Sequence, residues 1–335
     1  MGDKKRIGVI GVGRIGSLHA RLLHQHPDAE VVSIADVDLQ RASDFAEELG
    51  VDHVTDDPAV LIAQDLDAVV IASSTDTHAS LICEAARAGR HIFCEKPVDL
   101  TVDRIHEALA EVEKAGVMLQ IGFNRRFDRD FRQVRDRITS GQVGETHMLR
   151  ITSRDPSPPP VSYVRVSGGL FLDMMIHDFD MARFLVGDEV DEIYATGASL
   201  VDPAIGEAGD VDTAVVVMRF RNGTFCTIDN SRRAVYGYDQ RAEVLGDRGC
   251  ALTSAEHLNS GHFWDESAEK RDTSPDFFIK RYMDAYQAEL DAFVTCLCTG
   301  ASPEPTGLDG LRALELGLAA RASLLEKKTI KVVYS

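Results

Sequence analysis

The sequence predicts an α/β chain in two parts: a doubly wound parallel sheet at the N-terminus, then an α+β part built on a largely antiparallel open sheet. Three observations carry that prediction. Over the first 122 or so residues, short, nearly continuous apolar runs alternate with helical stretches, the pattern of strands covered by helices on both faces. The first of these runs leads directly into a glycine turn, Gly11-Val12-Gly13-Arg14-Ile15-Gly16. Beyond Asp191 the texture changes to β-rich runs at hairpin spacing, which favours antiparallel pairing. A length of 335 residues suits two ordinary domains, here 1–122 and 123–335.

Taken in order, 6–10 reads as a strand, 15–26 as a helix, 31–35 as a strand and 39–49 as a helix. The apolar run 68–72, the helix 77–88, the strand 91–94, the amphipathic helix 102–115 and the strand 117–122 continue the alternation. Asp155-Pro156-Ser157-Pro158-Pro159-Pro160 is a stiff, extended connection. A helix begins near Gly169, and strands follow at 193–198, 213–220, 223–231 and 241–245. Asn222-Gly223 marks a hairpin turn. Helices over 277–298 and 308–325 and a strand over 329–333 complete the chain.

Composition narrows the class of partner. Lys and Arg number 36 and Asp and Glu 54, a formal net charge of −18. Such a field repels polyphosphate and anionic lipid, so neither nucleic acid nor a membrane surface is expected as a partner. The start of the chain shows no signal peptide, Arg6 stands where a myristoylation signal needs Ser or Thr, and no apolar stretch approaches the roughly 18 residues of a membrane span. Six scattered cysteines without a C-x-x-C pair read as reduced, buried thiols, and a cytoplasmic protein is expected. Cys296 and Cys298 are close in sequence but have no His nearby, so no metal site is expected.

The glycine turn is the first motif with chemistry. It follows a strand, opens a helix, and precedes a second strand that ends at Asp36, 20 residues after Gly16, which is the context of a Rossmann dinucleotide site. Gly11 permits the tight turn, Gly13 lets a pyrophosphate approach the backbone, and Gly16 lets helix and strand pack closely. The free N–H groups at the helix start bind an anion locally, despite the global negative charge. Asp36 is placed to accept hydrogen bonds from the adenosine ribose and to repel a 2′-phosphate, which favours NAD over NADP.

The second motif lies in Leu170-Phe171-Leu172-Asp173-Met174-Met175-Ile176-His177-Asp178-Phe179-Asp180. On a regular helix Asp173, His177 and Asp180 fall at about 0°, 40° and 340°, a polar stripe on an otherwise apolar helix. A buried helix must aim such a stripe at a partner or a cavity, since unsatisfied buried polar groups cost on the order of 1–3 kcal/mol each. An imidazole one turn from a carboxylate has the makings of a general base, although a satisfied core His and Asp pair would look the same. Lys96, in Glu95-Lys96-Pro97 at the carboxyl end of a strand, is where a doubly wound fold binds its ligand, and its charge suits a developing oxyanion.

These residues together resemble the Gfo/Idh/MocA oxidoreductases over essentially the whole chain, and within them the inositol dehydrogenases. The likeness rests on Gly11 to Gly16 with Asp36, Glu95-Lys96-Pro97, and Gly168-Gly169 leading to Asp173-x-x-x-His177; Phe123 to Asp128 and Tyr236-Gly237-Tyr238-Asp239 add to it. The resemblance implies a catalytic trio of Lys96, Asp173 and His177. It further implies cofactor contacts from Gly11, Gly13, Arg14, Ile15, Asp36, Ser73, Thr75, His78, Glu95 and Lys96. Substrate contacts are implied from Lys96, Arg125, Asp155, Asp173, His177, Asp180 and Tyr236, with a cis bond before Pro97. Asp155 is a departure, since the inositol dehydrogenases carry Asn there. The implied reaction is NAD-dependent oxidation of a ring hydroxyl of myo- or scyllo-inositol to the ketone, on a neutral polyol. Oxidation of an aldose to a lactone, or NAD sensing without catalysis, are the alternatives. Relatives of this kind are commonly tetramers, so a homotetramer is expected.

Overall fold

The computed structural model describes residues 4–335. In the first half, β1 (Lys5–Ile10), α1 (Arg14–Gln25), β2 (Ala29–Ala35), α2 (Leu39–Leu49), β3 (His53–Thr55), α3 (Pro58–Ile62), β4 (Ala68–Ile71), α4 (Thr75–Arg87), β5 (His91–Glu95), α5 (Val102–Ala115) and β6 (Leu119–Gly122) alternate as expected. The six strands form one sheet in the order β3-β2-β1-β4-β5-β6, every pair parallel. Strand β4 is buried along its length, which is why its sequence reads as a solid apolar run. The sequence reading omitted β3 and α3: at three and five residues they are too short to display a period. Asp57 nonetheless caps α3 by accepting from the Ala59 amide at 2.9 Å, with Pro58 in the first turn.

A 3₁₀ turn (Asn124–Phe127), α6 (Arg129–Thr139), β7 (Thr146–Arg154) and α7 (Val161–Ser167) come next, followed by a π-helical turn (Leu170–Met174) and α8 (Ile176–Val186). The strands β8 (Val190–Ala198), β9 (Thr213–Phe220), β10 (Phe225–Ser231), β11 (Asp239–Gly246) and β12 (Cys250–Leu252) build a second sheet, with α9 (Pro203–Glu207) between β8 and β9. A small hairpin of β13 (His262–Trp264) and β14 (Glu269–Arg271) precedes α10 (Phe278–Thr299), α11 (Gly307–Glu326) and β15 (Ile330–Lys331). The second sheet runs β12-β11-β7-β10-β9-β8-β15. It is antiparallel except at its middle, where β10 pairs with β7 in parallel. Strand β7, which pairs with the central strand β10, is among the elements the sequence reading misses: Thr146-His147-Met148-Leu149-Arg150 mixes polar and apolar residues without a clean alternation. Helix α8 packs against β7 on the other face.

The compact units do not follow one cut at residue 122. One comprises the chain up to Asn124 together with Asp284–Leu311; the other comprises Arg125–Met283 and Arg312–Ser335. The physical reason lies in α10, whose Leu290, Phe293, Val294 and Leu297 are buried in the first unit's core among Ile7, Val9, Ala20 and Phe93. Helical geometry in α10 is interrupted at Tyr282 (φ −116°, ψ 19°), two residues before the boundary. The cysteines also depart from the uniform expectation: Cys83, Cys94 and Cys226 are buried, whereas Cys250 and Cys298 are exposed.

Candidate active site

The glycine turn has the geometry its sequence calls for. Gly11 has φ +87°, and a Cβ there would lie 2.6 Å from the Ser73 amide nitrogen. A Cβ on Gly16 would lie 1.8 Å from the Gly11 carbonyl oxygen, so any side chain at 16 would push α1 off the turn. Gly13 is different: a Cβ there meets nothing within 4 Å, and the residue caps α1 without a side-chain hydrogen bond to the first amides. With no acidic residue in that first turn, amides and open space are what the helix start presents, which fits a pyrophosphate. Arg14 and Ile15 are the first two residues of α1.

Asp36 is nearly buried and accepts from the Val12 amide at 2.8 Å and the Asp38 amide at 3.0 Å, while Arg41 pairs with it. Burial alone would raise its pKa, but the Arg41 guanidinium and the two amides outweigh burial and hold the carboxyl below its usual range. Asp36 is therefore an ionised acceptor beside the glycine turn, and the cap of α2 is Asp38, which accepts from the Arg41 amide. Among the other expected cofactor contacts, Ser73 Oγ lies 2.7 Å from Thr77 Oγ1, and Thr75 is the first residue of α4. His78 is buried, its ring nitrogens 2.8 Å from the Pro97 carbonyl and 3.1 Å from the Ser73 carbonyl, so it fastens two loops to each other. Glu95 ends β5, Lys96 follows it half-buried, and the Lys96–Pro97 bond is cis.

In the second unit the polar stripe is built differently from a regular helix. Gly168 (φ +88°) and Gly169 (φ +78°) turn the chain, and Asp210 accepts from the Leu170 amide at 3.0 Å. The Met175 amide then bonds to the Leu170 carbonyl at 2.9 Å, five residues back, which makes the π turn. From Leu170 to Ala182 every residue is buried except Asp173 and His177. Asp173 Oδ1 accepts from the Tyr163 hydroxyl at 2.9 Å and Oδ2 lies 3.4 Å from Arg232 Nη2. Asp180, by contrast, is buried and turns to Arg126, whose Nε and Nη2 donate to its two oxygens at 2.8 and 2.6 Å. The π turn precedes both His177 and Asp180, so their spacing in α8 stays regular; what sets Asp180 apart is the guanidinium that takes its carboxylate.

A second buried pair lies close in sequence to the first. Arg125 Nη1 donates to Asp178 Oδ1 at 2.6 Å, and Asn230 Nδ2 donates to Asp178 Oδ2 at 2.9 Å. The Tyr238 hydroxyl is 3.4 Å from Arg125 Nη2. Tyr236, the tyrosine expected at the substrate, is 42% exposed, donates to Asp239 at 2.7 Å and accepts from Arg154 at 3.1 Å. Sequence reasoning thus missed Asp178, Asn230, Tyr238, Arg232 and Tyr163. The signal for Asp178 was available, as Arg125-Arg126 and Asp178-x-Asp180 are matched doublets of opposite charge.

Asp155 follows β7 and is pushed up to about 6, mainly by burial. The charges of Asp173 and Asp178 add to the rise, and Arg232 and Arg125 oppose it. Between the ordinary carboxylate value and about 6 the folded chain keeps a proton that the unfolded chain has released, so stability falls as pH rises through that window and stays lowered above it. Asp155→Asn is therefore expected to raise the melting temperature more at pH 8 than at pH 4.5; an equal change at both values would contradict the assignment.

Among the described residues no group of three or more His, Cys, Asp or Glu is arranged to hold a metal ion, and no helix is long and apolar enough to cross a membrane.

Comparison with known proteins agrees with this geometry. Residues 5–123 match the oxidoreductase family with an NAD-binding Rossmann fold, and residues 131–252 match the GFO/IDH/MocA C-terminal domain. The chain is 49% identical to the myo-inositol 2-dehydrogenase of Thermotoga maritima, over 98% of each chain. It superposes on the crystal structure of a putative myo-inositol dehydrogenase from Sinorhizobium meliloti with a TM-score of 0.95 at 45% identity, covering 98% of this chain and 100% of that one. The scyllo-inositol dehydrogenase of Lactobacillus casei, solved with bound NAD(H) and scyllo-inositol, superposes with a TM-score of 0.93 at 29% identity, covering 98% of this chain and 99% of that one. The chain belongs to the Gfo/Idh/MocA family of NAD-binding oxidoreductases.

Proposed function

We propose that this protein is an NAD-dependent dehydrogenase that oxidises a secondary ring hydroxyl of myo- or scyllo-inositol to the ketone. The observation that carries the reading is the pair Asp173 and His177: on a stretch of helix otherwise wholly buried, only a carboxylate and an imidazole one turn apart keep solvent contact. In this reading His177 takes the hydroxyl proton, Asp173 orients the imidazole, and the Lys96 ammonium stabilises charge on the oxygen as the C–H bond breaks. NAD, when bound, accepts the hydride at C4 of its nicotinamide. The pyrophosphate is held by the start of α1, and the adenosine ribose by Asp36. Arg125 and Asp155 are assigned to the substrate hydroxyls. Asp155 serves as a donor when protonated and an acceptor when ionised, which suits a neutral polyol.

The assembly is read as a homotetramer in the cytoplasm. The open face of the second sheet carries Met148, Val215, Val217, Phe225 and Leu245, each more than 40% exposed, and a second copy of the chain is the partner assigned to it. Turnover of inositol isomers and pyranoses, each with NAD and with NADP, tests the reading. The highest kcat/KM is expected for an inositol with NAD; a pyranose preferred over every inositol, or NADP used equally, would replace it.

A further inference from the structure

Helix α1 carries a buried imidazole that the proposed chemistry leaves unused. His19 is fully buried, with its ring edge-on to Phe93 (centroids 5.0 Å apart) and to Tyr286 (5.8 Å). Its Nε2 lies 2.7 Å from Glu95 Oε1. A carboxylate offers only acceptors, so Nε2 carries the hydrogen. The other nitrogen, Nδ1, is buried and has no hydrogen-bond partner among the described residues. An unsatisfied buried polar atom costs on the order of 1–3 kcal/mol, a cost that an apolar side chain filling the same space would not bring. Packing alone therefore does not account for a histidine here; the bond to Glu95 does.

Glu95 passes that constraint on. Its second oxygen, Oε2, accepts from the Lys96 backbone amide at 3.2 Å. On the neighbouring strand Gly122 pairs with Glu95, and a Cβ at 122 would lie 3.0 Å from the carboxyl carbon. The carboxylate is thus bounded by the glycine on one side and tied by His19 and the Lys96 amide through its two oxygens. We propose that His19, acting through Glu95, is a positioning residue for Lys96. The helix whose first turn seats the cofactor pyrophosphate thereby also fixes the main chain from which the Lys96 side chain departs. This inference rests on the catalytic reading of Lys96 given above.

The test compares His19→Met with His19→Gln in the full-length protein, two unbranched side chains of similar size of which only Gln can donate to Glu95. Turnover of the best substrate from the panel, NAD affinity by fluorescence titration, and hydrogen exchange of segment 93–96 by mass spectrometry are read together. His19→Met is expected to lower kcat between about 10- and 100-fold, the scale of a slightly misplaced catalytic group, with little change in NAD affinity. Exchange of segment 93–96 rises in the same variant, and His19→Gln restores both readouts most of the way. Equal kcat in the two variants, or a loss that lies wholly in NAD affinity, would overturn the inference; His19→Leu serves as the donorless variant if His19→Met does not accumulate. Lys96→Ala is run alongside. If it stays active, the catalytic reading fails; if it is inactive while His19→Met is unimpaired, the positioning role alone fails.

Discussion

Replacing His177 with Ala is expected to lower kcat by on the order of 10³-fold while NAD still binds normally. Every residue assigned to the pyrophosphate and the ribose lies in the unit that holds the first sheet, and His177 lies in the other. On the proposed chemistry, removing the imidazole takes away the proton acceptor and leaves the assigned dinucleotide contacts in place. The side chain lies on a helix face with solvent contact, so its truncation leaves no large cavity, and the melting temperature should move little. Lys96→Ala should cost about 10²- to 10³-fold in kcat, the usual loss on removing one group that stabilises a developing oxyanion. If both act on one hydroxyl, as proposed, the double variant should be far less impaired than the product of the two single losses. Turnover within a factor of two of the parent in both single variants would remove the proposed chemistry altogether.

How much of this was legible in the sequence depended on how local the determinant was. The glycine turn and Asp36 were readable because one strand, one turn and one helix contain the whole device, and each glycine has a separate steric reason. Asp173 and His177 were readable as a pair at helical spacing. Asp180 shares their helical face by a uniform 100° step, but that step does not reveal that its carboxylate is taken by Arg126, 54 residues away in sequence. Tyr236 was preferred to Tyr238 although the two are two residues apart. What separates them is tertiary: the buried Tyr238 lies beside Arg125, whereas Tyr236 is 42% exposed and meets Arg154 and Asp239. The return of Asp284–Leu311 to the first core was beyond a linear reading for the same reason, since an apolar helix face does not say which sheet it will cover.

Asp178→Ala should be the most destabilising single change proposed here, because it strands a buried cation. The Arg125 and Asp178 side chains are 6% and 0% exposed and joined at 2.6 Å. With the carboxylate gone, the hydrogen bonds left to the guanidinium among the described residues are those to the Ser153 hydroxyl at 3.5 Å and the Tyr238 hydroxyl at 3.4 Å, both too long to replace it. Breaking a buried pair from one side costs about 3–5 kcal/mol, which for a unit of this size is a fall in melting temperature on the order of 10 °C. Arg125→Met leaves the opposite problem, an Asp178 carboxylate whose pKa burial already raises and from which the main opposing charge has been withdrawn. The double variant Arg125→Met/Asp178→Leu removes both charges together, so it should melt above either single variant, although neutral polyol binding falls with Arg125. Thermal melts of the three variants decide this: a double variant less stable than both singles would mean that the pair is net stabilising in itself and that its loss, not a stranded charge, sets the cost.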